Sequence, residues 1–191
     1  YVAAEISAEA AEAAEGIASP SERALTLIGI AQEFARDQQR DVALGNLARA
    51  IALIGEIGEH HRQAAVLVRA ADQYLAGGQR DLAAELLPRA REAAEKTAIP
   101  DERSWLFIKL SDCSRRCGRE AEVPALLAEA KRAAHAIVSP PDRSRRLSVV
   151  SCKLTAARLY DDALETARAI PVESYRAMAL YFLSAQYTLR G

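Results

Sequence analysis

The chain has 191 residues, half of them hydrophobic, so it can bury a substantial core. Its net charge is −1 with 27% charged residues, which argues against a dedicated nucleic-acid binder, because such proteins carry a strong basic excess. No run of 18 or more uncharged apolar residues occurs, which excludes a transmembrane helix, and no signal peptide is visible.

In chain order the predicted elements are helices, and they recur every 40 residues. Pro20, Pro100 and Pro140 fall on one grid, with His60 in the remaining slot. Ala43, Ala83, Val123 and Ala163 fall on a second; Leu47, Leu87, Leu127 and Ala167 on a third; Ala50, Ala90, Ala130 and Ile170 on a fourth. A fixed period of this length is the mark of stacked repeats. Residues 1–19 match the second helix of a repeat: Ala3, Ala10 and Ile17 lie 40 before Ala43, Ala50 and Ile57.

Residues 20–59 hold the first full unit. Ser19-Pro20-Ser21-Glu22 is a helix-start signal. Leu27, Ile30, Ala31 and Phe34 make one apolar helix face, and the helix ends near Asp37-Gln38-Gln39. A second helix from Asp41 buries Ala43, Leu47, Ala50, Ile51 and Ile54. Units 60–99 and 100–139 repeat this hairpin, with Gly78 and Gly118 at the turns, where positive φ is cheapest as glycine. The unit 140–171 has a shorter second helix, expected from Asp162 to about Ile170, so that Arg143 and Arg176 are 33 apart rather than 40. Residues 172–191 read as a further first helix with Leu180, Leu183, Ser184 and Tyr187, ending at Gly191.

The second unit orders its residues as Leu67, Ala70, Ala71, Tyr74, Gly78, Ala83, Leu87, Ala90. This resembles the tetratricopeptide (TPR) pattern in spacing and residue type over essentially the whole chain. The period is longer than the usual 34, the proline falls later, and Ser114 and Leu154 replace the aromatic in two units. HEAT-type hairpins share the repeat length and stand as the structural alternative. The resemblance implies an all-α, right-handed superhelical α-solenoid of stacked antiparallel hairpins, forming a single repeat domain over 1–191. The chain opens on Tyr1 rather than Met and has a half-repeat at each end, so it is expected to be a stretch of a longer array; capping helices and open ends that stack head to tail between molecules are the alternatives.

The resemblance also implies a concave groove lined by first helices. Carried over residue by residue, it comprises Leu25, Ile28, Gln32 and Arg36; Ala65, Val68, Arg69 and Asp72; Trp105, Ile108, Lys109, Asp112, Arg115 and Arg116; Arg145, Ser148, Cys152 and Thr155; and Met178, Tyr181 and Ala185. The candidate binding set is Gln32, Arg36, Arg69, Asp72, Trp105, Lys109, Asp112, Arg115, Arg116 and Arg145. Arginine grips carboxylates bidentately, and Trp and Arg dominate interface hot spots, so the expected ligand is an acidic, partly apolar peptide or helix. The competing account is a solvated face whose arginines pair with Asp112, Glu120 and Glu122 while Trp105 is core. The Lys/Asn set of TPR domains that clamp a C-terminal carboxylate is not reproduced by Gln32, Arg36, Arg69 and Asp72.

No catalytic site, metal or cofactor is expected. Cys113 and Cys117 share a helix face and Cys152 lies on the equivalent helix, but small residues filling helix crossings explain them. His60-His61 is expected in a solvent-exposed turn. No phosphate loop, nucleophile elbow or zincin motif occurs. An odd, small number of cysteines fits a reducing compartment, hence a cytoplasmic location. The functional expectation is a non-enzymatic protein-interaction scaffold without a nucleic-acid partner and without membrane insertion. Self-assembly through the ends, or a sensor arm in a larger bacterial-type regulator, are the alternatives.

Overall fold

A computed structural model describes residues 2–188, apart from the side chains of residues 2–5, 7 and 8. The expected final position, Gly191, and the side chain expected at Ala3 lie outside the described residues. All regular structure among the described residues is helical, in two compact units, Tyr1–Lys96 and Thr97–Gly191.

The first unit holds α1 (Val2–Glu15), α2 (Pro20–Arg36), α3 (Arg40–Ala52), α4 (His60–Ala76) and α5 (Arg80–Glu95). Helices α2 and α3 form one hairpin and α4 and α5 another; α4 stacks on α2, and α1 packs on α2 and α3. The second unit holds α6 (Pro100–Arg116), α7 (Val123–His135), α8 (Pro140–Ala156), α9 (Tyr160–Arg168) and α10 (Glu173–Thr188). Its hairpins are α6–α7 and α8–α9; α8 stacks on α6, and α10 packs on α8 and α9.

Helix starts follow from the grid. Ser19 and Ser139 cap α2 and α8 by accepting from the backbone N–H of Glu22 and Asp142, and a proline opens each helix. His60 is the first residue of α4, which corrects the expectation of a turn at His60-His61. The physical reason is that this slot is a helix N-terminus in every unit, where no backbone N–H needs an intrahelical acceptor, so proline and histidine both fit.

The hairpin turns are alike. Gln38, Gly78, Gly118 and Arg158, spaced 40 apart, all have positive φ, at 61°, 75°, 78° and 64°. Each closes its helix with the same pair of bonds. The Gln39 N–H reaches the Phe34 carbonyl at 2.9 Å while that of Gln38 reaches Ala35 at 3.3 Å, and the set recurs at Gln79–Tyr74, Arg119–Ser114 and Leu159–Leu154. This is the Schellman arrangement. Two of the four positions carry a side chain in the left-handed region.

Paired helices cross at small residues. Ala24, Ala64, Ser104 and Ser144 are fully buried, as are Ala31, Ala71, Ser111 and Ser151 within a few per cent. Facing them, Ala43, Ala83, Val123 and Ala163 are buried on the second helices. The serines spend their hydroxyls on backbone: Ser104 donates to the Ala130 carbonyl at 2.8 Å and Ser151 to that of Ala163 at 3.0 Å. Among the described residues no buried side-chain N or O atom is left without a partner.

The loops between hairpins are held by a second recurring device. Arg23 donates twice to the Ile17 carbonyl, at 3.0 and 2.9 Å. Gln63, Arg143 and Arg176 reach back the same six residues to the carbonyls of Ile57, Ile137 and Ile170. Arg103, in the same slot, turns instead to Glu129 at 3.6 Å and to the Phe107 ring at 5.8 Å.

A left-handed conformation costs a residue with a Cβ about 1 kcal/mol or more. Arg158→Gly and Gln38→Gly should each stabilise the chain by about 0.5 kcal/mol, after the chain-entropy cost of glycine. Gly118→Ala should destabilise it by about 1 kcal/mol, from backbone strain alone, because open space surrounds an added Cβ there. Urea midpoints of the three variants against the wild type measure this.

Candidate interaction face

In the second unit, the stretch from Asp101 to Arg116 along α6 lies beside α8, and charged side chains connect the two helices. The Arg146 guanidinium donates to both oxygens of Asp101, at 2.9 and 2.8 Å. Lys153 donates to both oxygens of Asp112, at 2.8 and 2.6 Å. These two-point contacts are partly buried, and the Arg146 side chain is only 11% exposed. The hydrogen bond from Arg146 holds the Asp101 carboxyl below its usual range against the opposing effect of burial, and the charges of Arg146 and Arg145 add to this.

A looser layer lies outside these pairs. Arg145 is 3.9 Å from Asp101 and 3.4 Å from Asp142, with 55% of its side chain exposed. Arg115 is 3.9 Å from Asp112 and also more than half exposed. Lys109 is exposed and sits 5.9 Å over the ring of Trp105, which is half-buried. Arg116 is exposed at the end of α6. Lys109, Arg115, Arg116, Arg145, Arg146 and Lys153 stand together on this face with Asp101, Asp112 and Asp142.

The face is positioned by the core beneath it. Leu106, Phe107 and Leu110 are buried and fix the rotation of α6, so that Asp101, Trp105, Lys109, Asp112 and Arg116, at three- and four-residue spacing, share the opposite side. Of the acids that the competing account names, Asp112 lies 3.9 Å from Arg115 and Glu122 lies 3.5 Å from Arg119, whereas the two-point pairs of Asp101 and Asp112 with α8 were not foreseen. Their signal is present in the repeat arithmetic: Arg146 and Lys153 lie 45 and 41 residues beyond their partners.

In the first unit the expected set is more dispersed. Gln32 is half-buried on α2, Arg36 pairs with Glu33 at 2.7 Å, and Arg69 and Asp72 are exposed on α4. Four expected lining residues, Ile28, Val68, Ile108 and Thr155, are buried. The stacking of α4 on α2 and of α8 on α6 covers that side of the first helices, which takes Ile28 and Ile108 out of any open surface.

A cleft of about 280 Å³ that sequence reasoning missed opens in the first unit, between Ala31 and Ala35 of α2, Ala43, Leu44 and Leu47 of α3, and Gln73 and Gly77 of α4, with Gln38 and Arg40 at its rim. Three of the residues that line it are alanines. None of the three thiols is joined in a disulfide: Cys113 is buried, and Cys117 and Cys152 are half-buried. Burial pushes the Cys152 thiol up, which disfavours the thiolate needed of a nucleophile or metal ligand. Among the described residues no group of three His, Cys, Asp or Glu side chains is placed to hold a metal, and no helix is long and apolar enough to cross a membrane.

The lowered pKa of Asp101 has a pH signature. The stability it confers is complete above the unfolded-state pKa, about 3.9, and is lost as pH falls through its lower folded-state value. The difference in unfolding free energy between wild type and Asp101→Asn should therefore be constant at neutral pH and shrink below about pH 4. Urea unfolding at a series of pH values measures it; a difference that does not change on acidification would mean the Arg146 pair contributes nothing.

No family model matches the sequence, and no curated protein matches it. Solved structures do. A crystal structure from Thermococcus onnurineus NA1 superposes with a TM-score of 0.69 at 14% identity, over 94% of this chain and 54% of that one. The chain thus spans about half the length of that protein. The nearly identical TPR-like repeats of a Podosopora anserina protein, assigned to a kinesin light chain, superpose with a TM-score of 0.65 at 20% identity, over 90% of this chain and 88% of that one. With helical hairpins recurring every 40 residues, this chain has the fold of TPR-like helical repeat proteins.

Proposed function

We propose that the chain is a non-catalytic protein-interaction scaffold, and that the α6–α8 face binds a peptide or helix carrying carboxylates and apolar side chains. The observation that carries this is the division of labour among the basic residues. Arg146 and Lys153 are committed to Asp101 and Asp112 by two-point bonds. Arg145 and Arg115 approach the same two carboxylates at longer range, with more than half of each arginine side chain exposed. Exposed pairs of this kind contribute little, about 0–1 kcal/mol, so a ligand carboxylate exchanges into them at small cost. Trp105 and Lys109 between them offer an aromatic surface with a cation above it. Aromatic and guanidinium groups together supply most of the affinity in known interfaces.

The fold supports the scaffold reading, since stacked hairpins present side chains of successive first helices on one surface. Three cysteines with no disulfide between them suit a reducing compartment such as the cytoplasm.

Capture from a lysate of source cells, comparing wild type with Arg115→Glu/Arg116→Glu/Arg145→Glu, tests the assignment. The expected result is a protein retained by the wild type and lost by the variant. Trp105 is the only tryptophan, so its emission should respond when the captured protein's binding segment is added as a peptide. Reversal of even one arginine should weaken that peptide by about tenfold or more, and added salt should weaken it further. Equal capture by both proteins would place the contact elsewhere.

A further inference from the structure

Three helices of the first unit enclose the cleft already described, and each gives it one turn. Ala31 and Ala35 of α2, Ala43 and Leu47 of α3, and Gln73 and Gly77 of α4 are pairs four residues apart. The cleft grades from apolar to polar. Its floor is Ala31, Ala43 and Leu47, all buried. Leu44 and Gln73 stand half-buried on its sides. Ala35, Gln38, Arg40 and Gly77 are exposed at its mouth.

Arg40 is the one charged residue among those that line the cleft; the nearby acids of the sequence, Asp37 and Asp41, are not among them. The partner of its guanidinium is neutral. Arg40 donates to the side-chain amide oxygen of Gln79 through Nη2 and, at 3.0 Å, through Nε. A guanidinium has five N–H donors, so one amide oxygen leaves it with donors to spare and no counter-charge. A carboxylate arriving at the mouth gains a charge-assisted bond there without displacing a lining acid.

The dimensions select the rest of the ligand. Four residues of helix rise about 6 Å, which an extended chain covers in fewer than about two residues. The cleft therefore suits one compact group and not a run of peptide. An apolar cavity of about 150 Å³ accepts a benzene ring. This cleft, at about 280 Å³, has room for a ring or a short hydrocarbon chain and a link to the mouth.

We infer that the cleft binds a small apolar carboxylic acid as a free molecule, with its hydrocarbon body on Ala31, Ala43 and Leu47 and its carboxylate on Arg40. The site shares no residue with the α6–α8 face, so the two assignments stand or fall separately. Its mouth can be filled with a side chain that the chain itself uses. The slot of Ala35 holds Leu75, Arg115 and Thr155 in the later repeats, so leucine suits this turn of a first helix.

Nuclear magnetic resonance titration of the isotope-labelled chain with phenylpropionate, isocaproate and hexanoate tests this. At least one acid should give saturable shifts at the backbone amides around Ala35, Arg40, Ala43 and Gly77, with a dissociation constant on the order of a millimolar or below. The carboxamide of that acid keeps the body and loses the charge, and should bind about tenfold more weakly or worse. Arg40→Gln should bring the acid down to the level of its carboxamide, and Ala35→Leu should abolish binding of both. Both positions are exposed, so both variants should keep the wild-type circular dichroism and Tm. If either does not, the comparison of acid with carboxamide on the wild type still decides. Absence of saturable shifts at these amides with all three acids would overturn the inference. So would equal binding of acid and carboxamide, or shifts only at surface arginines such as Arg115 and Arg145. Tighter binding at the same amides by the peptide acetyl-Gly-Gly-Phe would make the occupant a chain end, and the inference would fail.

Discussion

Everything in this molecule is arranged around the close crossing of two helices at small side chains. Each hairpin brings an alanine or serine of the first helix against an alanine or valine of the second, with leucine or phenylalanine flanking the contact. Alanine buries little apolar area and contributes correspondingly little transfer energy. What it supplies is proximity, which lets the larger neighbours Leu67, Phe107, Leu127 and Leu147 fill the space completely. Where serine stands in for alanine, its hydroxyl is tied to a backbone carbonyl, so close approach does not bury an unsatisfied group. The Schellman turn and, except at Arg103, the side chain that reaches back six residues then fix the two ends of the hairpins relative to this crossing.

Charge is distributed in two layers with different consequences. The inner layer, Asp101–Arg146 and Asp112–Lys153, acts as a clasp between neighbouring first helices, and its partial burial makes it resistant to screening. The outer layer, Arg115 and Arg145, is held by longer contacts, and more than half of each of these side chains is exposed. A count of charges along the sequence treats all of these alike. The same arginine content thus serves both cohesion and recognition, and position on the helix decides which.

The architecture was legible because periodicity survives in the sequence even where identity does not. Pro20, Pro100 and Pro140 mark helix starts, and Gly78 and Gly118 mark turns. The turn positions at Gln38 and Arg158 were not legible by residue type, since neither is a residue that favours positive φ. Only their place on the grid identifies them, and there local preference yields to the register of the hairpin. The candidate site was legible as a set of residue types but not as a set of contacts. Whether Ile28 or Ile108 faces solvent depends on how one first helix stacks on the next, which residue spacing within a single helix does not contain. His60 shows the converse: its slot defines a helix start, although histidine itself gives no such signal.

The shortened fourth unit has a geometric meaning. From Glu120 to His135 the third unit spends 16 residues on its second helical segment, whereas Tyr160–Arg168 of α9 is 9 residues long. Seven residues are close to two full helical turns, which changes the axial length by about 10 Å and the azimuth by only about 20°. The chain leaves the shortened helix pointing almost as it would have left the full one. Ile170 and Ile137 accordingly make the same turn and receive the same arginine contact from the following helix. Removing seven residues from this helix therefore preserves the phase of the helix that follows, while removing two or five would rotate its faces out of alignment.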